Sequence, residues 1–413
     1  MKVLWIVNII FPEPKALLNG SNGHKSSGGW LLSYADLLNQ HSDIKLVIAT
    51  ASDQVKFLTK FNGVRNTYYL FPIHKNYRAY SADLLEIKQN ESPDLIHIHG
   101  TEYPYGLAYV EACGSDKVVL SIQGIISEVC KYYNAGLSDL DILKHLTVRD
   151  LFGRTLWHEK RKRKKDAVLE RRLIQNVNHI IGRTAFDRAH VWAINPDAYY
   201  HKCNEPLRDE FYAGRWTIET CKPHSIFVSQ AWYPLKGFHM LLKAMPLLLR
   251  SYPDITINIA GSDILDTKGL IGRLRCQGYY KYISRLIKRF GLNGKINFMG
   301  PLSAERMKNA LLSSNVFVCP SSIENSSNSL AEAQLLGVPS VVSYVGGLPD
   351  MISRDSNCLL YRFDDTDMLA YSISKIFDTV PDGSIQQEEA KRRHNKKEIA
   401  NTLTLIYNSV QKN

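Results

Sequence analysis

The chain has 413 residues, enough for two domains of ordinary size, and carries a formal net charge of +11. Hydrophobic residues make up 45% and charged residues 22%, which excludes a largely disordered chain. The basic balance favours acidic partners such as phosphates, nucleic acids or anionic lipid surfaces. No stretch approaches ~18 uninterrupted apolar residues, so we expect no transmembrane helix.

Strand-like and helix-like patterns alternate along the whole chain. The first apolar run is short, ends in prolines and lacks a small-residue cleavage site, so it indicates a buried strand and not a signal peptide. Continuous apolar runs alternating with helices are typical of parallel, doubly wound sheets. The predicted strands are Val3–Ile10, Lys45–Thr50, Leu95–His99, Lys117–Gln123, His179–Arg183, Ser225–Ser229, Thr256–Ala260, Lys295–Met299, Val316–Cys319 and Ser340–Tyr344. The predicted helices include Trp30–Asn39, Phe238–Arg250, Tyr280–Phe290, Ala304–Ser313 and Leu330–Leu336.

These patterns predict an α/β protein with two Rossmann-like doubly wound domains. We place the first domain at residues 1–204, a linker near 205–222 and the second domain at 223–390. A helical pattern over 391–413 is expected to return toward the first domain. Ligands bind outside the carboxyl ends of strands in such sheets, and tandem domains suggest a cleft between them.

The seven cysteines are scattered and none forms a C-x-x-C pair. An odd count with this spacing argues against a zinc finger or a disulfide framework. We therefore expect a reducing, cytoplasmic compartment.

The strongest functional signal is Pro320–Asp350, PSSIENSSNSLAEAQLLGVPSVVSYVGGLPD. A strand leads into a polar loop that holds Glu324, and a helix expected near Ser329 carries Glu332 in its first turn. The next strand leads into a loop with Gly346 and Gly347.

A helix N-terminus offers unpaired N–H groups to a diphosphate, and the small residues Ser326, Ser327 and Asn328 would let it approach the backbone. Ser329, at the expected start of the helix, is a further donor-binding candidate. Carboxylates accept hydroxyl protons well, so Glu332 suits a ribose diol and Glu324 the sugar hydroxyls. Taken singly, Ser329 or Ser326 could simply cap the helix and Glu332 could complement its dipole.

This segment resembles the E-x7-E region of the retaining family 4 glycosyltransferases, which have the two-domain GT-B fold. Its ENSSNSL sequence is similar to a variant of this motif that is common among bacterial enzymes that build capsules and O-antigens. In this chain, Ser326 and Ser327 stand in place of the usual Phe-Gly. The resemblance implies that Glu324 contacts the donor sugar and Glu332 the ribose. It also implies retention of anomeric configuration, with no metal and no other cofactor.

A second resemblance is FVSQAWYPLKGF, where the family usually has an Arg and a Lys on the donor diphosphate. Lys236 is retained, and Gln230 stands roughly where the Arg would be. The missing cation could come from elsewhere, for example Arg183. Gly261, which ends a predicted strand, completes the expected donor site.

In the first half, the loop with Gly28 and Gly29 matches a glycine loop of the family, although a plain strand-to-helix turn explains it equally well. His99 is expected to line the cleft. Gln123 occupies the place of a family histidine and could bond a sugar hydroxyl. Arg183 is an acceptor-side candidate, and the simpler reading is a helical i,i+4 ion pair with Asp187.

Two D-x-D patterns, at Asp139–Asp141 and Asp365–Asp367, are interpreted as helix caps, and we assign no metal site. Six consecutive basic residues at Lys160–Lys165 suggest either a solvated helix face or peripheral contact with an anionic membrane.

We therefore expect a transferase that uses a nucleotide sugar and a glycan or lipid-linked acceptor. A sugar-nucleotide epimerase of the same fold and a non-catalytic basic protein for nucleic acid or membrane stay open as alternatives. No recognised nucleic-acid motif is present, so no nucleic-acid partner is expected.

Overall fold

The computed structural model describes residues 1–19, 29–41, 43–151, 153, 155–265, 276–354, 356–379 and 382–412. The chain divides into two compact units. Unit 1 comprises Met1–Ser127, Lys164–Arg208 and His394–Asn413, and unit 2 comprises Glu128–Arg163 and Asp209–Arg393. Residues 128–163, which we had counted within the first domain, therefore belong to unit 2. The C-terminal residues from His394 onward belong to unit 1.

Unit 1 is built on an eight-stranded sheet with the order β3-β4-β2-β1-β5-β6-β7-β8. All neighbours are parallel except β3 and β4, which pair antiparallel at one edge. Its strands are β1 Lys2–Ile6, β2 Lys45–Ser52, β3 Thr59–Asn62, β4 Thr67–Pro72, β5 Leu95–His99, β6 Val118–Ser121, β7 His179–Gly182 and β8 Tyr199–Lys202.

Unit 2 is built on a six-stranded sheet with the order β11-β10-β9-β12-β13-β14, in which every pair of neighbours is parallel. Its strands are β9 Lys222–Val228, β10 Thr256–Ile259, β11 Ile296–Phe298, β12 Ser314–Cys319, β13 Ser340–Ser343 and β14 Cys358–Tyr361. All six residues of β12 are buried, as expected for a central parallel strand covered on both faces.

Helices connect the strands in both units. They are α1 Pro12–Asn19, α2 Gly29–His41, α3 Tyr80–Glu91, α4 Tyr105–Cys113, α5 Ile126–Tyr132, α6 Asp139–Lys144, α7 Val148–Leu151, α8 Leu156–Gln175, α9 Ala185–Ile194, α10 Phe238–Ser251, α11 Gly278–Arg289, α12 Ala304–Leu312, α13 Asn328–Leu335, α14 Thr366–Phe377, α15 Ser384–Arg393 and α16 Lys396–Lys412. Short 3₁₀ helices lie at Tyr77–Ala79, Asp209–Tyr212, Pro234–Lys236 and Leu348–Met351.

The predicted α/β architecture with two doubly wound parallel sheets is confirmed. The amphipathic pattern of α10 explains its packing, because Leu241, Leu242, Met245 and Leu248 are at most 2% exposed and face the unit 2 core. The first strand is shorter than predicted: β1 ends at Ile6, and the apolar residues up to Ile10 lie outside it.

The last helix, α16, completes a core of unit 1. Leu403, Ile406 and Tyr407 pack in the same apolar cluster as the first strand. The Tyr407 hydroxyl accepts a 3.0 Å hydrogen bond from Trp5 Nε1 and lies 2.6 Å from His97 Nδ1. Burial lowers the pKa of His97 to about 3, so this histidine is neutral at ordinary pH and serves as a packed polar link.

Among the described helices, we find none that is both long and apolar enough to cross a membrane.

Candidate active site

The predicted donor-site residues of unit 2 follow strands of one parallel sheet. Gln230 follows β9, Gly261 follows β10, Glu324 follows β12, and Gly346 and Gly347 follow β13. Because the carboxyl ends of parallel strands lie at the same edge, these residues share the edge where doubly wound sheets bind ligands. We call this the donor edge.

An ion pair between Lys236 and Glu324 lies at the donor edge. The Lys236 ammonium bonds Glu324 Oε1, and the Ser321 hydroxyl donates to the same oxygen at 2.8 Å. The two side chains are 21% and 13% exposed. Burial alone would lower the pKa of Lys236, but the Glu324 carboxylate outweighs it and raises that pKa, so the ammonium stays charged. A cation and a carboxylate are thus held side by side at the donor edge.

Two glycines let the loops of this edge approach each other. Gly346 has φ +52°, and a Cβ there would lie 1.8 Å from the Glu324 carbonyl oxygen. The Gly347 N–H donates a 3.0 Å hydrogen bond to the same oxygen, so it is engaged with Glu324. Gly237 has φ +66°, and a Cβ there would lie 1.6 Å from the Pro320 carbonyl oxygen. These close contacts fix the backbone on both sides of the ion pair.

Helix α13 begins one residue earlier than expected, at Asn328. Its N-cap is Ser327, whose hydroxyl accepts a 3.3 Å hydrogen bond from the Leu330 N–H. Neither of the serines considered for this role, Ser326 and Ser329, is the cap. Asn328 and Ser329 are the first two helical residues, whose N–H groups have no partner within the helix.

Glu332 is the fifth residue of α13 and not in its first turn, which corrects the expected position. The effect of a helix dipole on a charge falls off within the first turn. The alternative that Glu332 merely complements the dipole therefore loses its basis. The side chain is 5% exposed, and such burial of a carboxylate calls for partners or a ligand.

The two remaining donor candidates have their own contacts. Gln230 Oε1 accepts a 3.5 Å hydrogen bond from the Tyr233 hydroxyl. The Tyr233 ring lies 5.9 Å from the Lys236 ammonium, so Gln230 is linked to the ion pair through one side chain. The Gly261 N–H bonds the Gly300 carbonyl at 2.9 Å and joins the ends of β10 and β11.

In unit 1, Gln123 and Arg183 come together on Glu205. Gln123 Nε2 donates to Glu205 Oε1 at 2.6 Å, and the Arg183 guanidinium forms an ion pair with the other carboxylate oxygen. The simpler prediction of an ion pair between Arg183 and Asp187 is wrong. Asp187 instead accepts the Arg183 backbone N–H at 3.0 Å and forms a capping box with Thr184 at the start of α9.

His99 lies at the carboxyl end of β5, where it was expected, but it is only 3% exposed. Its ring packs edge-on against Trp5, with centroids 4.4 Å apart, and beside His97, with centroids 3.7 Å apart. His97 and His99 thus face the same side of the sheet, as alternation along a strand requires. Gly29 is the first residue of α2, and Gly28 lies outside the described residues.

The two D-x-D patterns supply helix caps, as predicted. Asp365 caps α14 by accepting the Met368 N–H at 2.9 Å, and Asp141 forms a capping box with Ser138 at α6. Within the described ranges, no cluster of three or more His, Cys, Asp or Glu side chains is arranged to hold a metal ion.

The C-terminal part of the chain is similar to a known protein family. Residues 214–396 match the family of glycosyl transferases group 1. The matched segment contains the Lys236–Glu324 ion pair, the whole of α13 and the glycine loop after β13. The donor edge therefore lies within the segment that resembles this family.

Curated relatives match over shorter stretches. The chain is 29% identical over 151 residues to the uncharacterized glycosyltransferase MJ1607 of Methanocaldococcus jannaschii, covering 37% of this chain and 35% of that protein. It is 27% identical over 142 residues to a D-inositol 3-phosphate glycosyltransferase of Corynebacterium urealyticum, covering 34% and 32%. These matches span about a third of each relative's length.

Solved structures resemble the whole chain. Sucrose-phosphate synthase from Thermosynechococcus elongatus superposes with a TM-score of 0.70 at 13% identity, covering 99% of this chain and 98% of that one. Anabaena HepE in complex with UDP and glucose superposes with a TM-score of 0.66 at 15% identity, covering 98% of each chain. At such identities the likeness establishes the fold, which is the GT-B fold.

Sequence reasoning missed three residues that organise these sites. Ser321 bonds Glu324, Tyr233 contacts both Gln230 and Lys236, and Glu205 joins Gln123 to Arg183. Ser321 and Tyr233 each lie three residues before a predicted catalytic residue, so a search for polar neighbours in the same loops would have found them. Glu205 lies 82 residues from Gln123 and gives no comparable local signal.

Proposed function

We propose that the protein is a glycosyltransferase that moves a sugar from a nucleotide-diphosphate sugar to an acceptor. The observation that carries this proposal is the Lys236–Glu324 ion pair at the donor edge, three residues before the cap of α13. A cation suited to a leaving phosphate and a carboxylate suited to sugar hydroxyls are thereby held side by side. The family match over residues 214–396 supports the same function.

The donor diphosphate would bind at the N-terminus of α13. The N–H groups of Asn328 and Ser329 and the positive end of the helix favour an anion there. Glu332, further along the same helix, would accept hydrogen bonds from the ribose diol. Glu324 would orient the sugar hydroxyls.

Lys236 would act in the step that breaks the bond between the anomeric carbon and the diphosphate. Negative charge grows on the departing diphosphate in that step, and a fixed ammonium lowers its energy. Positive charge grows at the anomeric carbon, and the Glu324 carboxylate would stabilise that charge. We propose attack by the acceptor on the face that the diphosphate leaves, so that the anomeric configuration is retained.

Uridine diphosphate sugars are the first donors to test, since the Anabaena protein of the same fold was solved with UDP and glucose. The proposed acceptor is a glycan or a lipid-linked glycan of cell-surface polysaccharide synthesis. That choice rests on the ENSSNSL resemblance alone.

A ligand titration tests the donor site. A nucleotide sugar at ~100 times its dissociation constant should stabilise the protein by roughly 2.7 kcal/mol, a shift readily seen by thermal unfolding. We expect Glu332→Gln to lose most of this response, because the ribose loses its carboxylate acceptor. The matched control is Glu305→Gln, which changes an exposed glutamate of α12 and should respond like the native protein.

If a nucleotide sugar stabilised Glu332→Gln against thermal unfolding as strongly as it stabilises the native protein, the proposed ribose contact would be contradicted. If no nucleotide or nucleotide sugar stabilised the native protein, the transferase function itself would lose its basis. With an active donor and acceptor, NMR of the product decides the stereochemistry, and an inverted anomer would rule out same-face attack.

Peripheral membrane association remains part of the proposal. Residues 160–165 form a basic run in α8, and Arg161, Lys162, Lys164 and Lys165 are exposed. Anionic lipid attracts each such residue by ~1 kcal/mol. Replacing all six with Gln should abolish sedimentation with phosphatidylglycerol vesicles, and neutral vesicles serve as the control. Unchanged binding to anionic vesicles would assign α8 the role of a solvated helix face.

A further inference from the structure

A second concentration of positive charge lies in unit 2, among α6, α10 and α11. The side chains there surround a cavity of about 410 Å³. Four cationic residues line it: Lys144 from α6, Lys243 from α10, and Arg285 and Arg289 from α11. None of the donor-edge residues contributes to its lining.

The charges of this cavity are unbalanced. One carboxylate, that of Asp141, lines it against the four cations, and that carboxylate already accepts the Ser138 N–H and hydroxyl at 3.2 and 2.6 Å. Within the part of the chain that the structure describes, none of the four cations has an ion-pair partner within 4.0 Å. The four cationic side chains are therefore available to bind an anionic ligand.

Stabilisation of helix ends does not account for all four cations. Lys144 and Arg289 are the last residues of α6 and α11, where a cation complements the helix dipole. Lys243 is in the second turn of the 14-residue α10, far from that helix's negative end, and it is half-buried. Burial lowers the pKa of Lys243, only partly opposed by Asp141, so a bound anion would relieve a real electrostatic cost.

One of the residues that line the same cavity has an unpartnered buried atom. His145 is 4% exposed, and its Nδ1 lies 2.6 Å from the Asp141 carbonyl oxygen, so Nδ1 carries the proton it donates. The other ring nitrogen, Nε2, has no hydrogen-bond partner among the described residues. Buried polar atoms in folded proteins are nearly always paired, and a ligand in the cavity would supply the partner.

We propose that this cavity is a binding site for the phosphate group of a phosphorylated ligand, separate from the donor edge. Arg285 and Arg289 lie four residues apart, on one face of α11, and guanidinium groups bind phosphate oxygens in pairs. Lys144 and Lys243 add point charges, and a hydroxyl of a protonated phosphate group could donate to His145 Nε2, which accepts.

The phosphate can belong to a soluble molecule or to a lipid headgroup. Leu140 and Leu143 of α6 are 58% and 53% exposed, on the helix that also carries Lys144. Exposed leucines beside a phosphate site would enter a lipid surface, whereas a soluble ligand would not need them. These leucines therefore distinguish the two sources.

Inorganic phosphate is the first probe, added to the full-length protein at constant ionic strength with chloride as the reference anion. We expect thermal stabilisation by phosphate, and roughly tenfold weaker binding on each loss of a guanidinium in Arg285→Gln and Arg289→Gln. The matched control, Arg250→Gln with Lys288→Gln, removes two exposed charges from α10 and α11 outside the cavity lining and should bind phosphate normally.

Phosphate could also bind at the donor edge, so the titration is repeated with Lys236→Met. A phosphate response that disappears in Lys236→Met but persists in the double arginine variant would overturn the second site. An equal response to phosphate and chloride would overturn it as well.

Vesicles of phosphatidylcholine with phosphatidic acid separate the two ligand sources. If Leu140→Ser with Leu143→Ser abolishes vesicle binding but keeps inorganic phosphate binding, the site takes a lipid headgroup. If phosphate binds and the arginine and leucine variants leave vesicle association unchanged, the site takes a soluble phosphorylated ligand. Either outcome with vesicles supports the proposed site, since each requires phosphate binding that depends on Arg285 and Arg289.

Discussion

Lys236→Met should lower kcat for sugar transfer about 10²- to 10³-fold, the range found when one preorganised group that stabilises transition-state charge is removed. Methionine keeps the length of the side chain and removes its charge. KM for the donor should rise less, because the proposed contacts of the nucleotide with the N-terminus of α13 and with Glu332 are unchanged. Steady-state kinetics with a UDP sugar measure both constants.

A loss of stability could mimic this result, since Lys236→Met leaves the 13% exposed Glu324 carboxylate without its cation. The double variant Lys236→Met/Glu324→Gln removes both charges and should regain much of the lost stability while staying inactive. Lys222→Met, an exposed lysine of the same unit, is the control for loss of a positive charge. A kcat within a few-fold of the native value in Lys236→Met would contradict the assigned role.

Gly346→Ala should destabilise unit 2 by about 4 kcal/mol or more, among the largest effects expected of a single methyl group. The new Cβ would lie 1.8 Å from the Glu324 carbonyl oxygen, and φ is +52°, a conformation that costs alanine ~1–2 kcal/mol. The neighbouring atom is backbone, so relief requires the Glu324 loop itself to move. Chemical denaturation followed by fluorescence measures the change.

Gly294→Ala separates the clash from the backbone strain. Gly294 also has a positive φ, +77°, but a Cβ there meets no atom within 4 Å. It should therefore cost only the ~1–2 kcal/mol of strain. If Gly346→Ala proved no more destabilising than Gly294→Ala, the steric clash expected between the Gly346 loop and the Glu324 loop would be contradicted.

The central strands could be predicted because each is a continuous apolar run. Leu95–His99 was predicted to the residue, and the strand predicted at Val316–Cys319 extends two residues further back, to Ser314. The edge pair β3 and β4 was missed. Thr59–Asn62 alternates half-buried and exposed residues, so it lacks the continuous apolar run that marks the central strands.

The position of most donor-edge residues at one end of the sheet could be predicted, because apart from Gly261 they lie in two short segments with distinctive turn chemistry, around Lys236 and between Glu324 and Gly347. The assignment of residues 128–163 to unit 2 could not, because helices in that segment find their partners far along the chain. His239, for example, bonds the Ala135 carbonyl at 2.8 Å across 104 residues. Long-range pairing of this kind leaves no periodic pattern in the sequence.

The position of α16 sets the order in which the two units can finish folding on the ribosome. Leu403, Tyr407 and Val410 belong to the core around β1, yet they are synthesised after every residue of unit 2. During translation, the face of β1 that α16 covers therefore stays exposed while unit 2 is synthesised. Unit 1 therefore cannot complete its core before the last residues of the chain are available, and its uncovered apolar surface favours aggregation until then.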